Sequence, residues 1–177
     1  RVQRRSSGVI RPVPPLTTHD SRLTTRLAIF ASGTGSNTQK IIDHLHPNPS
    51  PQVEKGDPKA PDIRVVLIVS NNPEAGVLQI AKKENIPALI IEKDRFFHGD
   101  AYIKEIKEKK IDLIVLAGFL WKVPNILIKE FPGKIINIHP ALLPKFGGKG
   151  MYGQAVHEAV IAAKEKESGI TIHYVDE

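Results

Sequence analysis

Short continuous runs of apolar residues alternate with amphipathic stretches along the chain from Leu27 onward. The apolar runs lack the polar alternation of half-exposed strands, so they indicate strands that are buried on both faces. The amphipathic stretches repeat their apolar residues at helical spacing. Predicted strands cover residues 27–32, 63–70, 87–92, 111–118, 134–140 and 169–175, and predicted helices cover residues 37–45, 74–85, 99–110, 124–131 and 153–167. This alternation predicts an α/β fold with a doubly wound, mostly parallel sheet.

The predicted fold has one preferred place for a ligand, at the carboxyl ends of the strands where the winding of the sheet reverses. If the first strand is central, the fourth strand is its neighbour across that point. The stretches "SGTGSN" (32–37), "AGFLW" (117–121) and "NIHP" (137–140) follow or end the first, fourth and fifth strands. We therefore expect these three stretches to meet at one crevice.

The composition of the chain excludes several kinds of site at this crevice. The chain has 177 residues, of which 41% are hydrophobic, which suits one globular domain. It has no cysteine, so disulfides, thiolate metal sites and a cysteine nucleophile are excluded. No apolar run reaches the about 18 residues that a membrane span needs. The histidines and carboxylates do not form a metal-binding pattern, so no metal is expected.

The net charge of +6 is concentrated near the N-terminus. Residues 1–26 contain six arginines and one acid, so the rest of the chain is nearly neutral and does not favour nucleic-acid binding. We expect residues 1–26 to be a disordered or extraneous tail, and residues 27–177 to form the domain. The tail also has the composition of an organelle transit segment, so targeting stays open beside a cytoplasmic location. The proline-rich residues 46–62 predict a surface loop.

The turn "SGTGSN" has the composition of an anion-binding loop. Gly33 and Gly35 permit positive φ angles, and Ser36 and Asn37 are good N-cap residues for the following helix. The N–H groups at the helix N-terminus then favour a phosphate. A dinucleotide fingerprint is disfavoured because Thr38 stands where its third glycine is required. A tight turn without a ligand is the structural alternative.

The stretch "NIHPALLP" (137–144) brings an amide and an imidazole together. Strand alternation places Asn137 and His139 on one face and Ile138 on the other. An amide donor and a proton-exchanging imidazole suit a carbonyl that becomes a tetrahedral oxyanion. No serine, cysteine or lysine is evident as a companion nucleophile, which favours direct attack by a substrate group. The alternative is a structural asparagine and a buried histidine beneath Pro140.

Two further features have open interpretations. Phe119, Leu120 and Trp121 follow the fourth strand, where they would either line a slot for a flat heterocycle or pack into the core. His173 shares a strand with Ile172, where packing and support of a neighbouring site residue are equally plausible.

Four stretches together resemble the phosphoribosylglycinamide formyltransferase family of the formyltransferase superfamily. They are "FASGTGSN", "VLAGFLWKVP", "NIHPALLPKFGGKG" and "SGITIHYVDE", and the resemblance extends from Leu27 to Glu177. It implies a Rossmann-like formyltransferase fold and transfer of a formyl group from 10-formyltetrahydrofolate to the amine of glycinamide ribonucleotide, in de novo purine biosynthesis and without a metal. Either a monomer or a homodimer is compatible with it.

The resemblance also implies roles for individual residues. The turn with Gly33, Gly35, Ser36 and Asn37 would bind the phosphate end of the ribonucleotide. The pteridine of the folate would be held by Leu120, Trp121, Lys122 and Val123. Asn137 would be catalytic and contact the formyl group, and His139 would be the catalytic histidine.

Three departures accompany the resemblance. Leu120–Trp121 stands where many relatives have Met-Arg, and "GGKGMYG" (147–153) replaces a histidine-containing loop of some relatives. The third catalytic residue of the family, an aspartate, lies beyond the "HYVDE" segment. We therefore expect that the C-terminal part of the domain is missing, and that the 177-residue chain is weakly active or inactive.

Several other functions remain compatible with the sequence. The chain would suit another folate-dependent formyltransferase or formyltetrahydrofolate hydrolase. It would also suit a nucleotide-binding or folate-binding module without catalysis. A dinucleotide-dependent oxidoreductase is the third class, although Thr38 disfavours it.

Overall fold

The computed structural model describes residues 24–45, 62–148 and 150–176. The expectations for residues 1–23 and for the loop at 46–61 lie outside the described residues. None of the helices in the described ranges is long and apolar enough to cross a lipid bilayer.

The described strands form one six-stranded sheet. They are β1 (Thr24–Phe30), β2 (Asp62–Ser70), β3 (Ala88–Ile90), β4 (Leu113–Leu116), β5 (Ile135–His139) and β6 (Thr171–Tyr174). The strand order is β3-β2-β1-β4-β5-β6, and all neighbours are parallel except β5 and β6. The prediction of a doubly wound, mostly parallel sheet with β1 beside β4 is therefore confirmed.

Six helices connect these strands in the described ranges. They are α1 (Ser36–Leu45), α2 (Gly76–Lys83), α3 (Lys93–Phe97), α4 (Ile103–Glu108), α5 (Asn125–Glu130) and α6 (Gln154–Ala162). Five of them lie within or close to predicted helices, most of them shorter than expected. The helix α3 was not predicted, because five residues with three charges do not give a detectable helical repeat.

The first strand begins at Thr24, three residues before its predicted start and inside the expected tail. Thr24 pairs with Asp62 of β2, and its hydroxyl donates a 2.6 Å hydrogen bond to that carboxylate. The N–H of Arg26 donates to the Asp112 carboxylate at 2.8 Å. These polar residues extend the strand because pairing with neighbouring residues gives hydrogen-bond partners to their backbone N–H and C=O groups. The apolar pattern of the sequence does not reveal such partners.

The central strands β1, β2 and β4 bury side chains on both faces, as their continuous apolar runs predict. The same prediction is wrong for the edge strands, since Ile90 of β3 is 47% exposed and Ile172 of β6 is 60% exposed. One face packs against α3, α4 and α5 through a cluster that includes Phe30, Ile114, Phe96, Ile106 and Leu127. The other face packs against α1 and α2 through a second cluster, which includes Ile29, Ile68, Val115, Ile42 and Val77. This arrangement leaves the carboxyl ends of the parallel strands as the edge at which loops of the two faces meet.

Candidate functional site

The strand register brings the three expected stretches to one edge of the sheet. Phe30 of β1 pairs with Leu116 of β4, and Leu116 pairs with Asn137 of β5. Asn137 lies opposite His173 of the antiparallel β6. The ends of β1 and β5 are two strand spacings apart, which is about 10 Å. The glycine turn, the loop after β4 and the Asn137–His139 segment are therefore neighbours at this edge.

The turn between β1 and α1 depends on Gly35. Its φ angle is +79°, and an added Cβ would lie 2.8 Å from Cδ1 of Ile80 and 2.9 Å from Cα of Val77. Gly33, in contrast, does not have a positive φ, and nothing lies within 4 Å of an added Cβ there. Of the two glycines that permit a positive φ, only Gly35 adopts one.

The helix α1 begins at Ser36, so Ser36 and Asn37 lie in its first turn and not in the N-cap position. Both residues are exposed at the edge of the sheet. The N–H groups of a first helical turn have no partner within the helix, and they carry the positive end of the helix dipole. This position of α1 favours an anion next to Gly35, Ser36 and Asn37.

Asn137 is bound to a histidine of the neighbouring strand. Its Nδ2 lies 3.1 Å from Nε2 of His173, and Nδ1 of that ring lies 3.0 Å from the carbonyl oxygen of Tyr174. Because a carbonyl only accepts, Nδ1 carries the ring proton and Nε2 accepts from the Asn137 amide. This contact orients Asn137 and uses one of its two amide protons, so the other proton does not take part in the bond to His173. The sequence allowed His173 either to pack in the core or to support a neighbouring site residue, and this contact favours support of Asn137.

His139 is buried, although the predicted crevice would leave it accessible to a substrate. It shares a face of β5 with Asn137, since Ile136 and Ile138 pack into the cluster on the other face. Only 8% of His139 is exposed, and its Nε2 donates to the carbonyl oxygen of Phe146 at 2.8 Å. In this conformation the ring is covered by the loop after β5. Direct contact between a substrate and Nε2 requires that the bond to the Phe146 carbonyl is broken.

The loop after β4 is divided between core packing and exposure. The rings of Phe119 and Trp121 are partly buried and lie 5.9 and 5.8 Å from the ring of Phe96. Val123 is only 4% exposed, whereas Leu120 is 51% exposed and Lys122 is also exposed. The core-packing alternative therefore describes Phe119 and Trp121, and a ligand would meet Val123 through its main chain.

Sequence reasoning missed the side chain that joins these loops. Ser32 is 5% exposed, and its hydroxyl donates to Oδ1 of Asn71 at 2.5 Å and accepts from the N–H of Leu120 at 2.9 Å. Its own N–H donates to the Gly118 carbonyl at 3.1 Å. A serine at the end of a strand gives no sign of such partners, because they come from β2 and β4.

The described ranges contain no group of three or more histidine, aspartate or glutamate residues arranged to hold a metal ion.

Comparison with known proteins gives one consistent result. The profile described as formyl transferase matches residues 25–177. A phosphoribosylglycinamide formyltransferase of Arabidopsis thaliana, described as chloroplastic, is 40% identical over 157 residues, which are 86% of this chain and 50% of the relative. The phosphoribosylglycinamide formyltransferase of Bacillus subtilis is 36% identical over 156 residues, which are 86% of this chain and 72% of the relative. The chain thus spans about half the length of the first of these relatives.

Solved structures agree with these relatives. Glycinamide ribonucleotide transformylase 1 from Geobacillus kaustophilus is 37% identical and superposes with a TM-score of 0.69, over 87% of this chain and 76% of that chain. Phosphoribosylglycinamide formyltransferase from Brucella melitensis is 31% identical, with a TM-score of 0.70 over 87% of this chain and 74% of that chain.

Proposed function

The chain belongs to the formyl transferase family, and from this premise we propose that it transfers a formyl group from 10-formyltetrahydrofolate to the amine of glycinamide ribonucleotide in purine biosynthesis. The similar proteins are named phosphoribosylglycinamide formyltransferase or glycinamide ribonucleotide transformylase, and the folate donor is the one that the resemblance implies. The observation that carries the proposal is the position of Asn137, whose oriented amide lies beside the end of β4 and two strands from the end of β1. Both small-molecule substrates would meet at this edge.

The proposed reaction needs no nucleophile from the protein. The substrate amine attacks the formyl carbon, and the carbonyl oxygen becomes an oxyanion that accepts a hydrogen bond from the Asn137 amide. His139 stabilises this intermediate and takes part in moving the proton that the amine loses. The bond from the formyl carbon to the folate nitrogen then breaks, and that nitrogen leaves with a proton as tetrahydrofolate. The Asn137–His173 bond supports this role because it restricts the amide to one orientation.

The two substrates would occupy different loops of the edge. The phosphate of the ribonucleotide would bind at Gly33, Gly35, Ser36 and Asn37, where the first turn of α1 supplies N–H donors. The pteridine of the folate would bind along residues 120–123. Leu120 and Lys122 are exposed there, whereas Trp121 and Val123 would contribute mainly main-chain contacts because their side chains pack inward.

Substitutions of the two catalytic candidates test the proposal. In the protein at its full natural length, Asn137→Ala and His139→Ala should each lower turnover by about two to four orders of magnitude. The measurement follows folate absorbance in the presence of glycinamide ribonucleotide. The matched control is His157→Ala, because His157 is exposed on α6 and should leave turnover unchanged. Wild-type turnover in both test variants would show that these residues do not carry the reaction.

A second candidate function is binding of the nucleotide or folate without catalysis. The burial of His139 and its bond to Phe146 favour this reading, because both remove the imidazole from a substrate. A binding module would keep its affinity for both ligands in His139→Ala and would show no turnover in the wild type.

The cellular location stays a proposal as well. We expect the protein in the cytoplasm, with organelle targeting by residues 1–26 as the alternative. Two of the similar proteins are described as chloroplastic. The proposed assembly is a monomer or a homodimer, which size-exclusion chromatography with light scattering distinguishes.

A further inference from the structure

We propose that Ser32 is a positioning residue for the formyl donor, because its hydroxyl holds the main chain of the loop at residues 118–123. This inference rests on the proposed function, since it takes that loop as the donor site. Ser32 itself is buried and would not touch the folate.

The hydroxyl of Ser32 donates one hydrogen bond and accepts another, and the two partners follow different strands. It accepts from the N–H of Leu120 at 2.9 Å and donates to Oδ1 of Asn71 at 2.5 Å. A hydroxyl rotates to suit its partners, so the acceptor on Asn71 fixes the lone pair that faces Leu120. Through Ser32, the loop at residues 118–123 is attached both to the end of β1 and to the residue that follows β2.

Main-chain pairing with β1 reaches as far as the Gly118 carbonyl, which accepts from the Ser32 N–H, so the loop depends on the Ser32 hydroxyl beyond that residue. The strand β4 ends at Leu116, and Gly118 has a φ of +78°. The aromatic packing of Phe119 and Trp121 holds their side chains but not the peptide between them. The bond from Leu120 to Ser32 fixes that peptide, and with it the main-chain groups that face a ligand.

The glycine turn on the other side of Ser32 has anchors of its own. The N–H of Val77 donates to the Gly33 carbonyl at 3.2 Å, and the N–H of Gln39 donates to the Gly35 carbonyl at 2.8 Å. Neither bond involves the Ser32 side chain. Loss of the Ser32 hydroxyl should therefore disturb the folate site and spare the phosphate site.

The test compares Ser32→Ala with Ser70→Ala as a matched control. Ser70 is also buried at a strand end, but among the described residues its hydroxyl bonds to the main chain of Asn72 in its own turn and not to the loop after β4. Binding of 10-formyltetrahydrofolate is titrated without the amine substrate, by the fluorescence of Trp121, the one tryptophan of the sequence. We expect Ser32→Ala to weaken donor binding about 10-fold, the value of one lost hydrogen bond, and Ser70→Ala to change it less than about 3-fold.

The kinetic readout separates positioning from general destabilisation. In Ser32→Ala the KM for the folate should rise while the KM for glycinamide ribonucleotide stays near its wild-type value. Equal effects on both substrates, or equal donor affinity in Ser32→Ala and the wild type, would overturn the inference. A wild-type protein that does not bind the folate would overturn the proposed function, and this inference with it.

A second pair of variants leaves Ser32 in place. Asn71→Leu removes the acceptor that orients the Ser32 hydroxyl, whereas Asn71→Asp keeps an acceptor oxygen there. We expect 10-formyltetrahydrofolate to bind more weakly to Asn71→Leu than to the wild type, and to bind Asn71→Asp with nearly wild-type affinity. Equal donor affinity in these two variants would contradict the orienting role, even if Ser32→Ala does not fold.

Discussion

Gly35 and Gly33 belong to the same turn, but only one of them needs to be glycine. Gly35 combines a left-handed φ of +79° with a close approach to α2, whereas Gly33 has neither constraint. The sequence shows two glycines at an anion-binding spacing and does not distinguish them. The difference comes from α2, which follows a separate strand. Its Val77 and Ile80 occupy the space that a Cβ at Gly35 would need, whereas its contact with Gly33 is a hydrogen bond to the carbonyl, which an added Cβ at Gly33 would not disturb.

We expect Gly35→Ala to lower the free energy of unfolding by about 2–5 kcal/mol, because it adds backbone strain and a steric clash with Val77. Gly33→Ala is the matched control, and it should change the free energy of unfolding by about 1 kcal/mol or less. Urea denaturation measures both. Similar losses in the two variants would contradict the distinction between the two glycines.

Thr38 carries an unsatisfied polar group in the core. It is 0% exposed, and its hydroxyl has no hydrogen-bond partner among the described residues. Thr38→Val keeps the shape and removes the hydroxyl, so it should raise the free energy of unfolding by about 1 kcal/mol. Thr38→Ala is the control and should be less stable than Thr38→Val, because it also removes a buried methyl group. A loss of stability in Thr38→Val would mean that the hydroxyl has a partner in solution.

At the scale of elements, the short helix α3 supports the loop after β4. Phe96 is 4% exposed, and its ring contacts the rings of Phe97, Phe119 and Trp121. The periodicity of the sequence indicates neither α3 nor this aromatic cluster. The cluster explains why Trp121 is partly buried, although the sequence also allowed it to line a ligand slot.

Replacement of Phe96 tests this support. Phe96→Ala should lower the free energy of unfolding by about 3–5 kcal/mol, because it opens a cavity among buried rings. It should also shift the fluorescence of Trp121 to longer wavelength, as the indole becomes wetter. Phe97→Ala is the matched control with a smaller expected loss, since Phe97 is only partly buried. If the two variants lose equal stability and leave the fluorescence unchanged, α3 does not hold the loop.

At the scale of the whole molecule, the order of the strands decides which loops meet. The sequence places Ser32, Leu120 and Asn137 far apart, and the order β1-β4-β5 brings their strand ends side by side. The charge distribution does not contribute to this arrangement, since the excess of arginine lies in residues 1–26. The proposed function therefore rests on the topology and on the residues at this edge.

The sequence by itself determined the type and order of most elements, the burial of the central strands on both faces and the three stretches at the edge of the sheet. These properties follow from local periodicity and from the general rules of parallel sheets. Only the tertiary structure decided that Asn137 bonds to His173, that His139 bonds to Phe146 and that Ser32 joins two loops. Such contacts depend on strand register and on the path of loops. A shift of one residue in a strand would exchange the side chains on its two faces, and a single sequence does not specify that register.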